Sequence, residues 1–310
     1  MESFKKNAPF DAFRHSSRQA AQGKFSTKNL KWYLLGILFF ANVFIWQAIF
    51  AETRDNVLTV AFLDIGQGDA IFIEAPNGNQ VLIDGGSNQA VLGALSEIME
   101  PYDRTIDIIV ATHPDKDHIG GLVDVLRRYD ISRVIDSGLS SDTCVYQEFE
   151  KSVAHEVEEG AERLVARRGM SLALGSGINL FILSPESVSA GMPSNDASVV
   201  SKLAYGTTSF LLTGDAAMKV ENRLVFLDGA LLKSDVLKVG HHGSKFSTSA
   251  LFLAHVLPVY SVISSGQGNP YGHPSKEALG RLEEAGANIL RTDLSGSIVF
   301  LSDGESIFLK

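Results

Sequence analysis

Apolar and polar positions change their spacing along this chain and divide it into three regions. Residues 32–51, "WYLLGILFFANVFIWQAIFA", are twenty uncharged and mostly apolar residues with no polar face. About twenty such residues cross a hydrocarbon core of ~30 Å, so the segment reads as one transmembrane helix. A cleaved signal peptide is the rival reading. Its apolar core is usually about 7–15 residues behind a short basic head, whereas here the head is thirty-one residues long. That favours an uncleaved anchor. Residues 1–31 are polar, basic and aperiodic, and they predict a disordered tail.

Beyond residue 52 the spacing alternates between strand-like and helix-like. "VLTVAFLDIG", "DAIFIEAP" and "QVLIDGG" read as three consecutive strands punctuated by Gly, Asn and Pro. "NQAVLGALSEIME" reads as a helix begun at Ser87 or Asn88 and stopped by Pro101. "TIDIIVATH" is a buried strand, "GGLVDVLRRYD" the helix after it, and "RVIDSG" a further strand. Residues 142–168 predict one long charged helix. The stretches 171–185, 197–215, 235–243, 260–266 and 295–310 predict more strands, with helices near 217–227, 248–257 and 275–286. Adjacent strands near both ends look like hairpins, so a singly wound parallel sheet fits poorly. Two sheets face to face with helices outside fit better. The expected architecture is therefore an α/β, four-layer αββα sandwich over residues 52–310, preceded by one transmembrane helix.

Charge sharpens this division. Of the whole-chain net charge of -9, residues 1–51 contribute plus five, from seven Lys/Arg against Glu2 and Asp11. Lys5, Lys6, Arg14, Arg18, Lys24, Lys28 and Lys31 all precede the apolar run, which predicts a cytoplasmic N-terminus and an extracytoplasmic body in the cell membrane. The remainder carries minus fourteen, leaving little basic surface to track a phosphate polymer. Cys144 is the single cysteine, which excludes an intrachain disulfide and a thiolate zinc cluster.

The chemistry gathers where strands end. "ATHPDKDHIGG" crowds His113, Asp115, Asp117 and His118 into six positions after an apolar run. "FLLTGD" ends at Asp215, "VLKVG" at His241 and His242, and "VISSGQGNPYGHPS" reaches His273. Five of the eight histidines fall in these turns; His15, His155 and His255 lie in the tail or in helical patterns. A single histidine after a strand is usually a satisfied loop residue. Asp215 alone reads equally well as a helix N-cap, and Asp64 and Asp84 read first as turn residues. Clustering favours ligands instead, because imidazole and carboxylate groups bind zinc, manganese or iron.

This arrangement resembles the metallo-β-lactamase superfamily. "LDIGQGDAIFIEAPNGNQVLIDGG", "THPDKDHIGGL", "NDASVVSKLAYGTTSFLLTGDA", "LKVGHHGSKFSTS" and "NPYGHPS" are similar, in order over about residues 57–310, to the hydrolase domain of ComEC-type competence proteins and their stand-alone relatives. The multi-helix channel region of those proteins has no counterpart here, so a transport role does not carry over. The resemblance implies two divalent metal ions, manganese or zinc, with magnesium also admissible. His113 and Asp115 would hold one ion, Asp117 and His118 the other, with Asp215 bridging. His241 would complete the second site, or His242 or His273 in its place. Asp115 stands where zinc-binding members have histidine, which shifts preference toward manganese or magnesium. Where those members have a further histidine this chain reads "SNDASVV", so that Asn195 or Asp196 serves or the ligand is absent.

The implied activity is that of a membrane-anchored phosphodiesterase or nuclease using a metal-activated hydroxide, with single-stranded DNA or another phosphodiester as substrate. Asp117 would orient the hydroxide, and His242 or His273 would protonate the leaving group. Ser244 and Lys245 would contact a phosphate. The alternatives are a hydrolase of a lactone, thioester or small phosphoester, which calls for a more apolar pocket, and a non-catalytic binding module.

Overall fold

The structure is a computed structural model describing residues 27–52 and 56–310. The expectation of a disordered tail falls mostly on residues outside these. The first unit is a helix, Thr27–Glu52, which takes in Lys28 and Lys31 and so starts earlier than the apolar run. Its window Asn29–Trp46 is long and apolar enough to cross a membrane and is unburied.

The second unit carries two sheets. The eight-stranded sheet runs, in spatial order, Ile307–Leu309, Ile298–Ser302, Leu58–Phe62, Ile71–Glu74, Gln80–Ile83, Thr105–Ala111, Asp130–Asp136 and Glu162–Val165. The seven-stranded sheet runs Asn288–Arg291, Tyr260–Ile263, Val236–Lys238, Thr208–Leu212, Val200–Tyr205, Ile178–Ser184 and Ser171–Gly175. The last four strands of the first sheet pair in parallel, as do the first four of the second. The remaining pairings are antiparallel hairpins and meanders, which end in the β-rich stretches read as hairpins from sequence.

Alternation along the strands builds three apolar layers. Leu58, Val60 and Phe62 face the other sheet, while Ala61 and Leu63 face helices. Between the sheets, Phe300 meets Phe62 and Phe210 edge-on, each at 6.0 Å. Leu82, Ile109, Leu122 and Phe149 join the first sheet to its helices, and Leu211, Leu224, Phe252 and Leu282 do the same for the second. Two sheets back to back, each covered by helices on its outer face, make the αββα sandwich.

Three local expectations differ from the structure. The long helix over 142–168 ends at Glu158. It starts after Thr143, whose hydroxyl accepts from the Tyr146 amide, and Gly160 at φ +113° then turns the chain into the strand Glu162–Val165. A charged amphipathic pattern hides this break because Glu and Arg serve an exposed edge strand as readily as a helix surface. The short strand Asn288–Arg291 has no fully buried residue and no clear alternation to signal it. Asp215 does not cap the following helix, which begins at Met218 behind Ala217.

Parallel strands of both sheets end on one rim. Asp84, His113, Asp215, His242 and Ser264 follow the carboxyl ends of five of them. This is where open α/β sheets place ligands.

Candidate metal centre

The turn after Thr105–Ala111 reaches the rim because glycines let it pack closely. A Cβ at Gly121 would collide with the Gly85 carbonyl, and one at Gly68, at φ +124°, with the Asp117 carbonyl. On the opposite side, His241 and His242 sit at φ +47° and +53°. That left-handed region is costly for residues with a Cβ, and such strain concentrates at functional sites. Here the conformation aims both imidazoles at one carboxylate. The Nε2 atoms of His241 and His242 lie 3.8 and 3.4 Å from Asp215 Oδ2.

Hydrogen bonds at the back of the rings fix their tautomers. His118 Nδ1 lies 2.7 Å from Asp84 Oδ2, and His242 Nδ1 lies 3.0 Å from the Ser264 carbonyl. Both partners are acceptors only, so each Nδ1 carries a proton. The Thr112 hydroxyl donates to Asp84 Oδ2 at 2.7 Å and can then only accept from His113 Nδ1 at 3.0 Å. All three rings thus turn Nε2 inward. These Nε2 atoms are buried and make no hydrogen bond. Imidazoles held at Nδ1 by an acceptor, with Nε2 directed at carboxylates, are the usual arrangement of metal ligands.

Ligand atoms of His113, His118 and Asp215 lie within 4.8 Å of one another, as do those of Asp117, His118 and His242. His118 Nε2 is 3.4 Å from Asp215 Oδ2, and His242 Nε2 is 3.4 Å from Asp117 Oδ2. The residues present therefore fit divalent ions: inward lone pairs from three imidazoles, with carboxylates between them. Nitrogen and oxygen donors without thiolate suit zinc, manganese and iron alike.

Electrostatics agree with that donor set. Burial pulls His113 down to about 3, which keeps it neutral. Burial also opposes charge on His242, but Asp215 and Asp69 outweigh it and raise the ring to about 9. His118 is raised well above its ordinary value against the same burial, by Asp215 and Asp84. Burial would raise Asp215, yet His242 and His118 hold it well below the usual carboxylate range. Without metal, protons on two imidazoles balance the carboxylates.

The other sequence candidates are distributed around this cluster. Asp115 is half-exposed, 3.6 Å from His113 Nε2, and accepts from the Ser194 hydroxyl at 2.8 Å. Among the described residues it joins no three-ligand group, and neither does His241. Of the two adjacent histidines, His242 is the one whose ring joins such a group, and both line the opening beside Asp215. His273 lies at the rim, its ring 5.5 Å from that of His241. Of the two residues offered for the missing histidine, Asn195 reaches His241 Nδ1 at 3.2 Å, whereas Asp196 pairs with Lys219 at 2.7 Å. Ser244 is buried and its hydroxyl accepts from the Phe246 amide. His255 is spent on the Leu251 carbonyl in a helix.

Two residues escaped the sequence reading and a third was undervalued. Asp69 and Lys238 form a fully buried ion pair beneath the cluster. Lys238 also donates to the Gly214 carbonyl at 3.1 Å and stands 3.8 Å from Asp215 Oδ1. Asp69 Oδ1 is 3.3 Å from His242 Nδ1. Lysine inside "VLKVG" was the available signal, since a charge within a short apolar strand needs a buried partner. Asp84, read as a turn residue, orients His118; Asp64 is a turn residue and accepts from the Gly66 amide.

With fold and site in view, comparison with known proteins assigns the class. A sequence profile of the metallo-beta-lactamase superfamily matches residues 63–266, and the chain belongs to that superfamily. Similar sequences include a competence protein. The chain is 33% identical over 267 residues to ComE operon protein 3 of Bacillus subtilis (strain 168), covering 78% of this chain and 32% of that one. It is 31% identical over 246 residues to competence protein ComA of Neisseria gonorrhoeae, covering 79% and 32%. It thus spans about a third of the length of these relatives. Among solved structures, Zn(2+)-bound PqqB from Methylobacterium extorquens aligns with a TM-score of 0.48 at 9% identity, covering 76% of this chain and 97% of that one.

Proposed function

We propose that the chain is a membrane-anchored, extracytoplasmic phosphodiesterase or nuclease whose substrate is single-stranded DNA or a similar phosphodiester. The observation that carries this reading is the nature of the opening. A cavity of about 180 Å³ leads to Asp117, Asp215 and His242, and apart from Tyr271 its lining side chains are polar or charged. A lactone or thioester with an apolar acyl group would find no apolar wall there. The volume is also below the roughly 300–1,000 Å³ of ordinary small-molecule pockets, which suits recognition of one linkage in a longer chain. The name of one relative, competence protein ComA, accords with a nucleic-acid substrate.

His113, His118, His242, Asp117 and Asp215 would hold divalent ions, with Asp115 at hand beside His113, and the ions would supply Lewis acidity for water and for a phosphoryl oxygen. Asp117 is held below its ordinary pKa by His242 and His118 despite partial burial, so it is ionised and accepts a hydrogen bond from the attacking water. The water oxygen bonds to phosphorus as the bond to the leaving alkoxide breaks. Burial lowers His273, and His241 adds to the effect. Its neutral ring at the rim can relay a proton from solvent water to that alkoxide, taking one up as it gives one away, while the proton lost by the attacking water returns to solvent. A chain keeping all these groups aligned argues against a non-catalytic module.

The experiment is turnover by the purified full chain on bis-p-nitrophenyl phosphate, single-stranded DNA and a lactone, each with added manganese. Hydrolysis of the phosphodiesters with little of the lactone is expected. Lactone hydrolysis alone overturns the reading.

A further inference from the structure

Tyr271 is a large aromatic residue on the lip of the metal centre, and 66% of it is exposed. Its ring lies nearly parallel to that of His273, at 6.0 Å and 28°, and His273 in turn meets His241 edge-on at 5.5 Å. The loop under it is held by one side chain. Asn269 donates to the Gly266 and His273 carbonyls at 2.9 and 2.6 Å, and it accepts from the amides of Tyr271 and His273 at 3.2 and 3.0 Å. Tyr271 therefore stands exposed on a braced loop, one face backed by an imidazole.

The charge around the opening says what kind of contact is needed. No lysine or arginine lines the cavity among the described residues, while Asp115, Asp117 and Asp215 do. Metals account for one phosphate, but the acidic rim repels the neighbouring ones. Binding a strand there needs a grip that does not depend on charge. Stacking a base on an aromatic face is such a grip, tolerant of sequence and available only where bases are unpaired.

We propose that Tyr271 is the stacking platform for an unpaired nucleobase beside the scissile phosphate, and that it confers preference for single-stranded over duplex substrate. This rests on the phosphodiesterase reading given above. Duplex DNA hides its base faces and gains nothing from Tyr271.

The test uses the full chain in detergent with manganese, and compares a short single-stranded oligodeoxynucleotide with the same strand made abasic. KM is read from cleavage, and binding is read separately from quenching of 2-aminopurine placed in the strand. Wild type should favour the base-bearing strand by on the order of tenfold in KM, equivalent to about 1.4 kcal/mol. Tyr271→Ala should bring the ratio close to one. Tyr271→Trp should preserve it, and Tyr271→Leu, which keeps apolar bulk without a π face, should not. If Tyr271→Ala retains the wild-type ratio, or Tyr271→Leu matches Tyr271→Trp, stacking is overturned while phosphodiester cleavage stands. If wild type neither binds nor cleaves either strand, the phosphodiesterase reading falls and this proposal with it.

Discussion

Asp84 Oδ2 lies 2.7 Å from His118 Nδ1, and both side chains are buried. The same carboxylate accepts from the Thr112 amide and hydroxyl, and through that hydroxyl it also orders His113. Asp84, behind the ring of His118, thus sets the direction of two imidazoles. Asp84→Asn keeps a side chain tolerated at φ +59° but offers one acceptor oxygen to three donors. Metal affinity should fall by about 10–100-fold, as for other partners behind metal-binding imidazoles. Titration calorimetry reads the loss, with far-ultraviolet circular dichroism showing that the fold persists.

Lys238 and Asp69 make a second prediction, about stability. Removing one member of a buried pair strands the other's charge and costs about 3–5 kcal/mol. Lys238→Met should therefore lower the denaturant midpoint strongly. Adding Asp69→Asn should recover part of that loss, because the stranded carboxylate disappears. Chemical denaturation of the three proteins would expose the error if the double variant were the least stable.

The metal-free centre should respond to pH. His242 is raised from 6.5 to about 9 by carboxylates that outweigh burial, and His118 is raised likewise. A raised imidazole stabilises the fold fully below its unfolded value of 6.5 and loses that contribution as pH climbs through its folded value. The melting temperature of the metal-free protein should thus decline between pH 6.5 and about 9. Both rings must shed protons to bind metal, so metal affinity should rise over the same window. Calorimetry in two buffers of different ionisation enthalpy should detect proton release; none at pH 7 would contradict the assignment of these rings as ligands.

The sandwich was legible because its strands are short apolar runs cut by Gly, Pro and Asn, and because alternation in 58–63 separates two buried faces. The candidate site was legible where histidines crowd strand ends, at His113, His118 and His242. Less visible were residues whose partners are remote in sequence. Lys238 has meaning only beside Asp69, which precedes it by most of the domain, and Asp84 only beside Thr112 and His118. Nor does the pair "HH" reveal which ring turns inward. That depends on left-handed backbone at both residues and on the Ser264 carbonyl from another strand.

Metal choice turns on Asp115. Its carboxylate is 3.6 Å from His113 Nε2, close enough to share an ion with that ring. Oxygen-rich sites suit manganese or magnesium, and nitrogen-rich tetrahedral ones suit zinc. Manganese should reactivate the metal-free enzyme better than zinc, and Asp115→His should move the preference toward zinc. Turnover at saturating metal decides it. Wild type working best with zinc, unchanged in Asp115→His, would remove Asp115 from the ligands.

Asp215 is the carboxylate on which the Nε2 atoms of His118, His241 and His242 converge, at 3.4, 3.8 and 3.4 Å. The most direct measurement is bound metal and bis-p-nitrophenyl phosphate turnover in the full chain, before and after chelation and manganese re-addition, for wild type, Asp215→Asn and His155→Ala. Chelation should abolish wild-type turnover and manganese restore it. Asp215→Asn should hold less metal and lose on the order of a hundredfold in rate, the scale of removing one electrostatic stabiliser from a catalytic centre. His155→Ala should match wild type in both respects. Turnover that survives chelation, or equal losses in the two variants, would contradict a metal-dependent phosphodiesterase centred on Asp215.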